Sequence, residues 1–136
     1  LGDLGWGFFD EHKKLFPDRV INTGAAEQTM LDMAVGLVYS GKIPFCYSIT
    51  SFLLFRGYET IRTYINHEKL HVVLVGSGRD KEYEADGISH WSHDAKHLLQ
   101  GLKNIDEYWP ETKEEIPDIL NKVLKSKKPN FISLRR

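Results

Sequence analysis

Short apolar runs alternate with amphipathic stretches along the chain. Val20-Ile21, Ile43–Ile49, His71–Val75, Ile105–Tyr108 and Asn130–Leu134 read as strands. His71-Val72-Val73-Leu74-Val75 is almost wholly apolar, as expected of a strand covered on both faces. Helical periodicity fills the intervals. The spacing predicts helices over Phe8–Phe16, Ala25–Tyr39, Phe52–Asn66, Asp94–Leu102 and from Thr112 to Lys125. Thr23 is a candidate N-cap for the second helix, and Gly41 suits the position just past its end. Thr50-Ser51 is placed to cap the third, and Thr112-Lys113-Glu114-Glu115 forms a capping box.

Strands separated by helices over short connections predict an α/β fold, three layers deep, around a mainly parallel sheet. Ligands bind such sheets beyond the carboxyl ends of the strands. Glu27, Phe52 and the polar loop from Gly76 to His93 all follow strand ends, so three segments are expected to converge on one edge. The 136 residues form one domain. The opening Gly2-Asp3-Leu4-Gly5 reads as a loop that follows a strand, so an N-terminal helix and strand are expected to be missing.

Glu27 changes this picture most. It falls in the first turn of a helix whose buried stripe is Met30, Leu31, Ala34 and Val38. A carboxylate heading an apolar stripe is costly unless something pairs with it. Read alone, it is a helix-start acid favoured by the macrodipole. Phe52, Phe55 and Tyr58 then lie at i, i+3 and i+6, on one side of a helix. They suit either core packing or a pocket for a flat heterocycle.

Composition narrows the function. Hydrophobic residues are 41%, charged residues 27% and the net charge is -1, so no basic excess points to nucleic acid or an anionic membrane. No apolar run is long enough to span a bilayer. Cys46 is the single cysteine. It excludes an intrachain disulfide, fits a reducing, cytoplasmic setting, and reads as a small core residue rather than a nucleophile. His90, His93 and Asp94 lie close in sequence but lack a second ligand cluster, so no metal site is expected.

Glu27 in its Gly-x-x-Glu-Gln setting, followed by Ser51-Phe52-Leu53-x-Phe55-x-x-Tyr58, resembles the pyrimidine-binding module of transketolase-like thiamine diphosphate enzymes. Gly2-Asp3-Leu4-Gly5, Asp86-Gly87-Ile88-Ser89-His90 and Pro129–Arg135 are similar to three further motifs of that family, in the same order. The resemblance implies a role for each matching residue. Glu27 would hydrogen-bond the aminopyrimidine nitrogen of the cofactor. Phe52, Phe55 and Tyr58 would surround that ring, and Asp3 would lie near the thiazolium. Asp86 and His90 would face the substrate, with His90 able to move protons.

The same resemblance implies a catalyst that transfers a two-carbon ketol unit between sugars or sugar phosphates. Thiamine diphosphate would be shared with a diphosphate-binding partner subunit or domain that holds Mg²⁺, because this chain has no Gly-Asp-Gly motif. An oligomer of such pairs, and exposed apolar surface near Glu27, are expected. Other readings are a 1-deoxyxylulose-5-phosphate synthase, the beta subunit of a 2-oxo-acid dehydrogenase, or a non-catalytic scaffold of the same fold. Two departures bear on substrate: Ala25 replaces a bulkier aliphatic residue, and the loop Gly76–Ala85 lacks the family's Val-Gly pair and histidine.

Overall fold

A computed structural model describes residues 1–136. Four parallel strands, β1 (Phe45–Ile49), β2 (Val73–Ser77), β3 (Asp106–Tyr108) and β4 (Asn130–Leu134), lie in the order β1-β2-β4-β3. Cys46, Leu74 and Phe131 stand in register and point to one face. That face is covered by α2 (Glu27–Tyr39), α3 (Thr50–Arg56) and α5 (Ala95–Gln100), through Met30, Leu31, Ala34, Leu53, Leu54 and Leu99. Val73 and Ile132 point the other way, onto Ile119 and Val123 of α6 (Ile116–Lys125). The expected three-layer α/β architecture is therefore present. No helix is long and apolar enough to cross a membrane.

Several local expectations fail for identifiable reasons. Val20-Ile21 is not a strand. It bonds to Leu1 instead: the Leu1 amine donates to the Ile21 carbonyl at 2.7 Å, and the Thr23 N–H donates to the Leu1 carbonyl at 3.0 Å. Two bonds do not make a ladder. Thr23 is not the cap of α2, because its hydroxyl also turns to the Leu1 carbonyl, at 3.1 Å. Ala26 takes the N-cap position with no side-chain bond. The first helix, α1, shrinks to Asp10–Leu15 and buries no residue. Gly41 follows the end of α2 with φ +77°, as its place in the sequence predicts.

Thr50 and Ser51 do not cap α3 either. Ile49 runs directly from β1 into the helix. The Thr50 hydroxyl donates to the Gly78 carbonyl at 2.8 Å, and the Ser51 hydroxyl donates to the Ser89 carbonyl at 2.8 Å. Both hydroxyls thus tie the head of α3 to the long loop after β2. The helix continues past Gly57 as the single turn α4 (Tyr58–Thr60) and a wider π turn, Ile61–Asn66.

Gly57 marks the closest approach of this helix to α2, where an added Cβ would overlap Leu31 Cδ1. Leu31 is fully buried and has nowhere to retreat. Gly57→Ala should therefore cost about 1–3 kcal/mol through overpacking, despite the better helix propensity of alanine. Chemical denaturation of the two proteins would show a lower midpoint for the variant; an equal or higher midpoint would mean that the two helices can move apart.

Candidate active site

The carboxyl end of β1, the head of α2 and the last turn of α3 meet around Glu27. Strand alternation turns Ser48 to the same face as Cys46, and its hydroxyl donates to Glu27 Oε1 at 2.8 Å. Arg56 Nη1 donates to Oε2 at 2.7 Å. Glu27 is 1% exposed, whereas the Arg56 side chain is 44% exposed. The backbone of Gly2 closes over the pair: a Cβ there would stand 2.8 Å from Ser48 Oγ and 3.1 Å from Glu27 Oε1. Burial pushes the Glu27 carboxyl up, but the Arg56 guanidinium and the Ser48 hydroxyl outweigh it and hold it below the usual carboxylate range. The cost expected of a carboxylate at the head of an apolar stripe is met by these two donors.

Arg56 lies four residues after Phe52, so the two share a helix face. The guanidinium carbon sits 3.8 Å from the Phe52 ring centre. The edge of the same ring meets His90, with ring centres 4.7 Å apart. His90 Nδ1 lies 2.9 Å from the Ser89 hydroxyl, which leaves Nε2 free. A cavity of about 340 Å³ opens beside these groups, lined by Ser51, Phe52, Phe55, Arg56, Trp91 and Asp94 among others. Phe55 is 47% exposed, an apolar surface next to the Glu27 pair. Two cavity-lining groups have buried polar atoms without partners, Trp91 Nε1 and Asp94 Oδ1.

Not every candidate gathers here. Tyr58 packs against the main core and donates its hydroxyl to the Leu98 carbonyl at 3.2 Å. Asp3 has φ +54° and is held by Asn22, which accepts from its N–H and donates to its carboxylate, both at 3.1 Å. It lines a second, smaller cavity of about 120 Å³. Asp86 is exposed at the end of a short turn, Glu84–Asp86. Cys46 is buried and its thiol is pushed up to about 12, so it holds no thiolate at neutral pH. No three His, Cys, Asp or Glu side chains converge closely enough to hold a metal ion.

The loop bearing Asp86 and His90 is pinned at its base. Asp80 and Ser92 form an antiparallel bridge, and the Ser92 hydroxyl donates to the Gly78 carbonyl at 3.1 Å. Arg79, 5% exposed, reaches from the loop to β4. Its guanidinium donates to the Ser133 carbonyl and hydroxyl, the Pro110 carbonyl and the Glu111 carboxylate. Sequence reasoning missed Ser48, Arg56, Trp91 and Arg79. The first two had a legible signal: Ser48 alternates with Cys46 in β1, and Arg56 is one turn past Phe52. Trp91 and Arg79 had none.

The model of the family described as "Transketolase, pyrimidine binding domain" matches residues 3–136. A putative transketolase C-terminal section of Methanocaldococcus jannaschii is 30% identical over 123 residues, which are 90% of this chain and 39% of that protein. One subunit of the apulose-4-phosphate transketolase of Actinobacillus succinogenes is 29% identical over 89% of this chain and 39% of its own length. The solved structure of a split-gene transketolase, an inactive beta4 tetramer, superposes on all of this chain with a TM-score of 0.85, at 29% identity and over 44% of that chain. This chain thus spans about two-fifths of the relatives that it matches. The mainly parallel sheet agrees with that match, and the chain belongs to the transketolase pyrimidine-binding domain family.

Proposed function

We propose that this chain is the pyrimidine-binding half of a thiamine diphosphate-dependent transketolase, active only with a diphosphate-binding partner. It would transfer a two-carbon ketol unit between sugars or sugar phosphates. One observation supports this above the others: Glu27 is a buried carboxylate held by Ser48 and by Arg56, whose guanidinium stacks on Phe52.

The residues fit the cofactor. When bound, thiamine diphosphate supplies a nucleophilic carbon and an electron sink. Glu27 would hold the pyrimidine ring nitrogen and share a proton with it, strengthened by the dry surroundings. Phe52 and Phe55 would flank the ring, and Tyr58 would support that wall from the helix behind. Asp3 would lie near the thiazolium side. His90, steadied by Phe52 and Ser89, would offer Nε2 to a substrate hydroxyl, with Asp86 as a second hydroxyl partner. Mg²⁺ would be held by the partner, together with the diphosphate. A reducing, cytoplasmic setting and an assembly of paired chains belong to this reading.

One comparison favours a second donor. 1-Deoxy-D-xylulose-5-phosphate synthase of Bacillus cereus is 33% identical over 106 residues, 78% of this chain and 16% of that enzyme. Pyruvate would then replace the ketose. Calorimetric titration of thiamine diphosphate with Mg²⁺ into the chain alone, and into the chain with its partner, tests the proposal. Binding should occur in the complex only, followed by turnover of ketoses and not pyruvate. A complex that binds no cofactor would reduce the chain to a scaffold of the same fold.

A further inference from the structure

The functional reading needs Glu27 as a hydrogen-bonding partner for an incoming ring, yet both of its oxygens are engaged. Ser48 holds Oε1, Gly2 covers that side, and Arg56 holds Oε2. The Arg56 side opens to a cavity. A ring nitrogen and the Arg56 guanidinium cannot both take Oε2 in the same geometry. Entry of the ring from this side is opposed by Arg56, and a guanidinium that swings off Oε2 is either solvated or taken up by another acceptor within reach.

The same cavity holds one. Asp94 lines it, and Asp94 Oδ1 is buried without a hydrogen-bond partner. A buried, unpartnered carboxylate oxygen is costly, and Asp94, the residue before α5, makes no side-chain capping bond. The other charged or titratable group lining the cavity is His93, which is exposed. Arg56 itself is anchored only by Glu27 and by its stack on Phe52, and it is nearly half exposed, so little else restrains it.

We propose that Arg56 is a two-position latch: it guards Glu27 when the ring is absent and moves to Asp94 when the ring is bound. Arg56 and Asp94 are positioning residues in this scheme. The exchange gives each carboxylate oxygen a partner when the ring is bound: the ring on Glu27, and Arg56 on the Asp94 oxygen that is otherwise unpartnered. It rests on the functional reading above, and it adds to it a competition that sets cofactor affinity.

The test is a double-mutant cycle on the partner-bound complex, with thiamine diphosphate and Mg²⁺ titrated calorimetrically. Arg56→Met should tighten binding about tenfold by removing the competitor, and Asp94→Asn should weaken it about tenfold by removing the receptor. In the double variant Asp94→Asn should add nothing, because there is no latch to receive. A crystal structure of the loaded complex should show the guanidinium on Asp94. The latch is overturned if Asp94→Asn acts equally with and without Arg56, or if Arg56 stays on Glu27 beside bound cofactor. Absence of binding in the wild-type complex would overturn the functional reading and the latch together. Unchanged melting temperatures of the variants would separate these outcomes from misfolding.

Discussion

Replacing Glu27 with glutamine is expected to lower turnover of the partner-bound protein by about 10³-fold with a ketose donor. Glutamine has the same shape. Its carbonyl can still accept from Ser48, so the buried site keeps its packing and one of its two hydrogen bonds. What it loses is the ability to hold a proton, which is the property the proposed chemistry uses. Arg56 loses its charge partner but is exposed enough to be solvated, so the melting temperature should move little.

Folding holds the Glu27 carboxyl below its ordinary value. Its contribution to stability is therefore complete above the unfolded carboxyl value of about 4.3, and it is lost as pH falls through the folded value. Glu27→Gln should remove that part of the acid sensitivity. Steady-state rates at saturating cofactor, with thermal unfolding at pH 7 and pH 4, check both statements. A rate within tenfold of wild type would end the assignment of Glu27.

The second large effect is expected at Arg79. Arg79→Met should lower stability by about 3 kcal/mol, which for a chain of this size is about 10 °C in melting temperature. Its Glu111 pair contributes little to that sum, because Glu111 is 62% exposed. The weight lies in the buried bonds to the Pro110 and Ser133 carbonyls and the Ser133 hydroxyl, which methionine of similar length would leave without donors. Lysine would not restore them, since one ammonium cannot span acceptors that a planar fork reaches together. The loop that bears Asp86 and His90 should also become a site of limited proteolysis. A melting temperature within 2 °C of wild type, as an order-of-magnitude threshold, would show that the Asp80–Ser92 bridge alone holds the loop.

What was legible in the sequence follows from the range of the interactions concerned. The core strands, the long helices and the edge of the sheet where Glu27, Phe52 and the loop meet all come from local period and order. The family resemblance rests on the same ordered motifs and agrees with the match over residues 3–136. The misreadings concern side chains that act over long separations. Thr23, Thr50 and Ser51 are good caps by local rules, yet each hydroxyl finds a carbonyl in a distant segment. Val20-Ile21 has strand composition, yet the bonds beside it, from the Leu1 amine to Ile21 and from Thr23 to Leu1, form no ladder. Arg79 looks like an ordinary loop cation, and only the fold reveals that β4 and Pro110 surround it.

The strand order has a consequence for how the molecule is made. No strand pairs with a sequence neighbour through a hairpin: residue 45 pairs with 73, 73 with 130 and 106 with 130. β4 is a central strand, with β2 on one side and β3 on the other. Loop closure must therefore precede nearly all of the sheet, which makes folding slow compared with a helical domain of this size. During synthesis β1 and β2 can pair with each other, but the second edge of β2 waits until Asn130–Leu134 has emerged, and β3 has no strand partner at all before then. The nascent domain thus keeps unpaired edges until β4 emerges, and early engagement by a chaperone or by a partner chain would shield the strands that aggregate most readily.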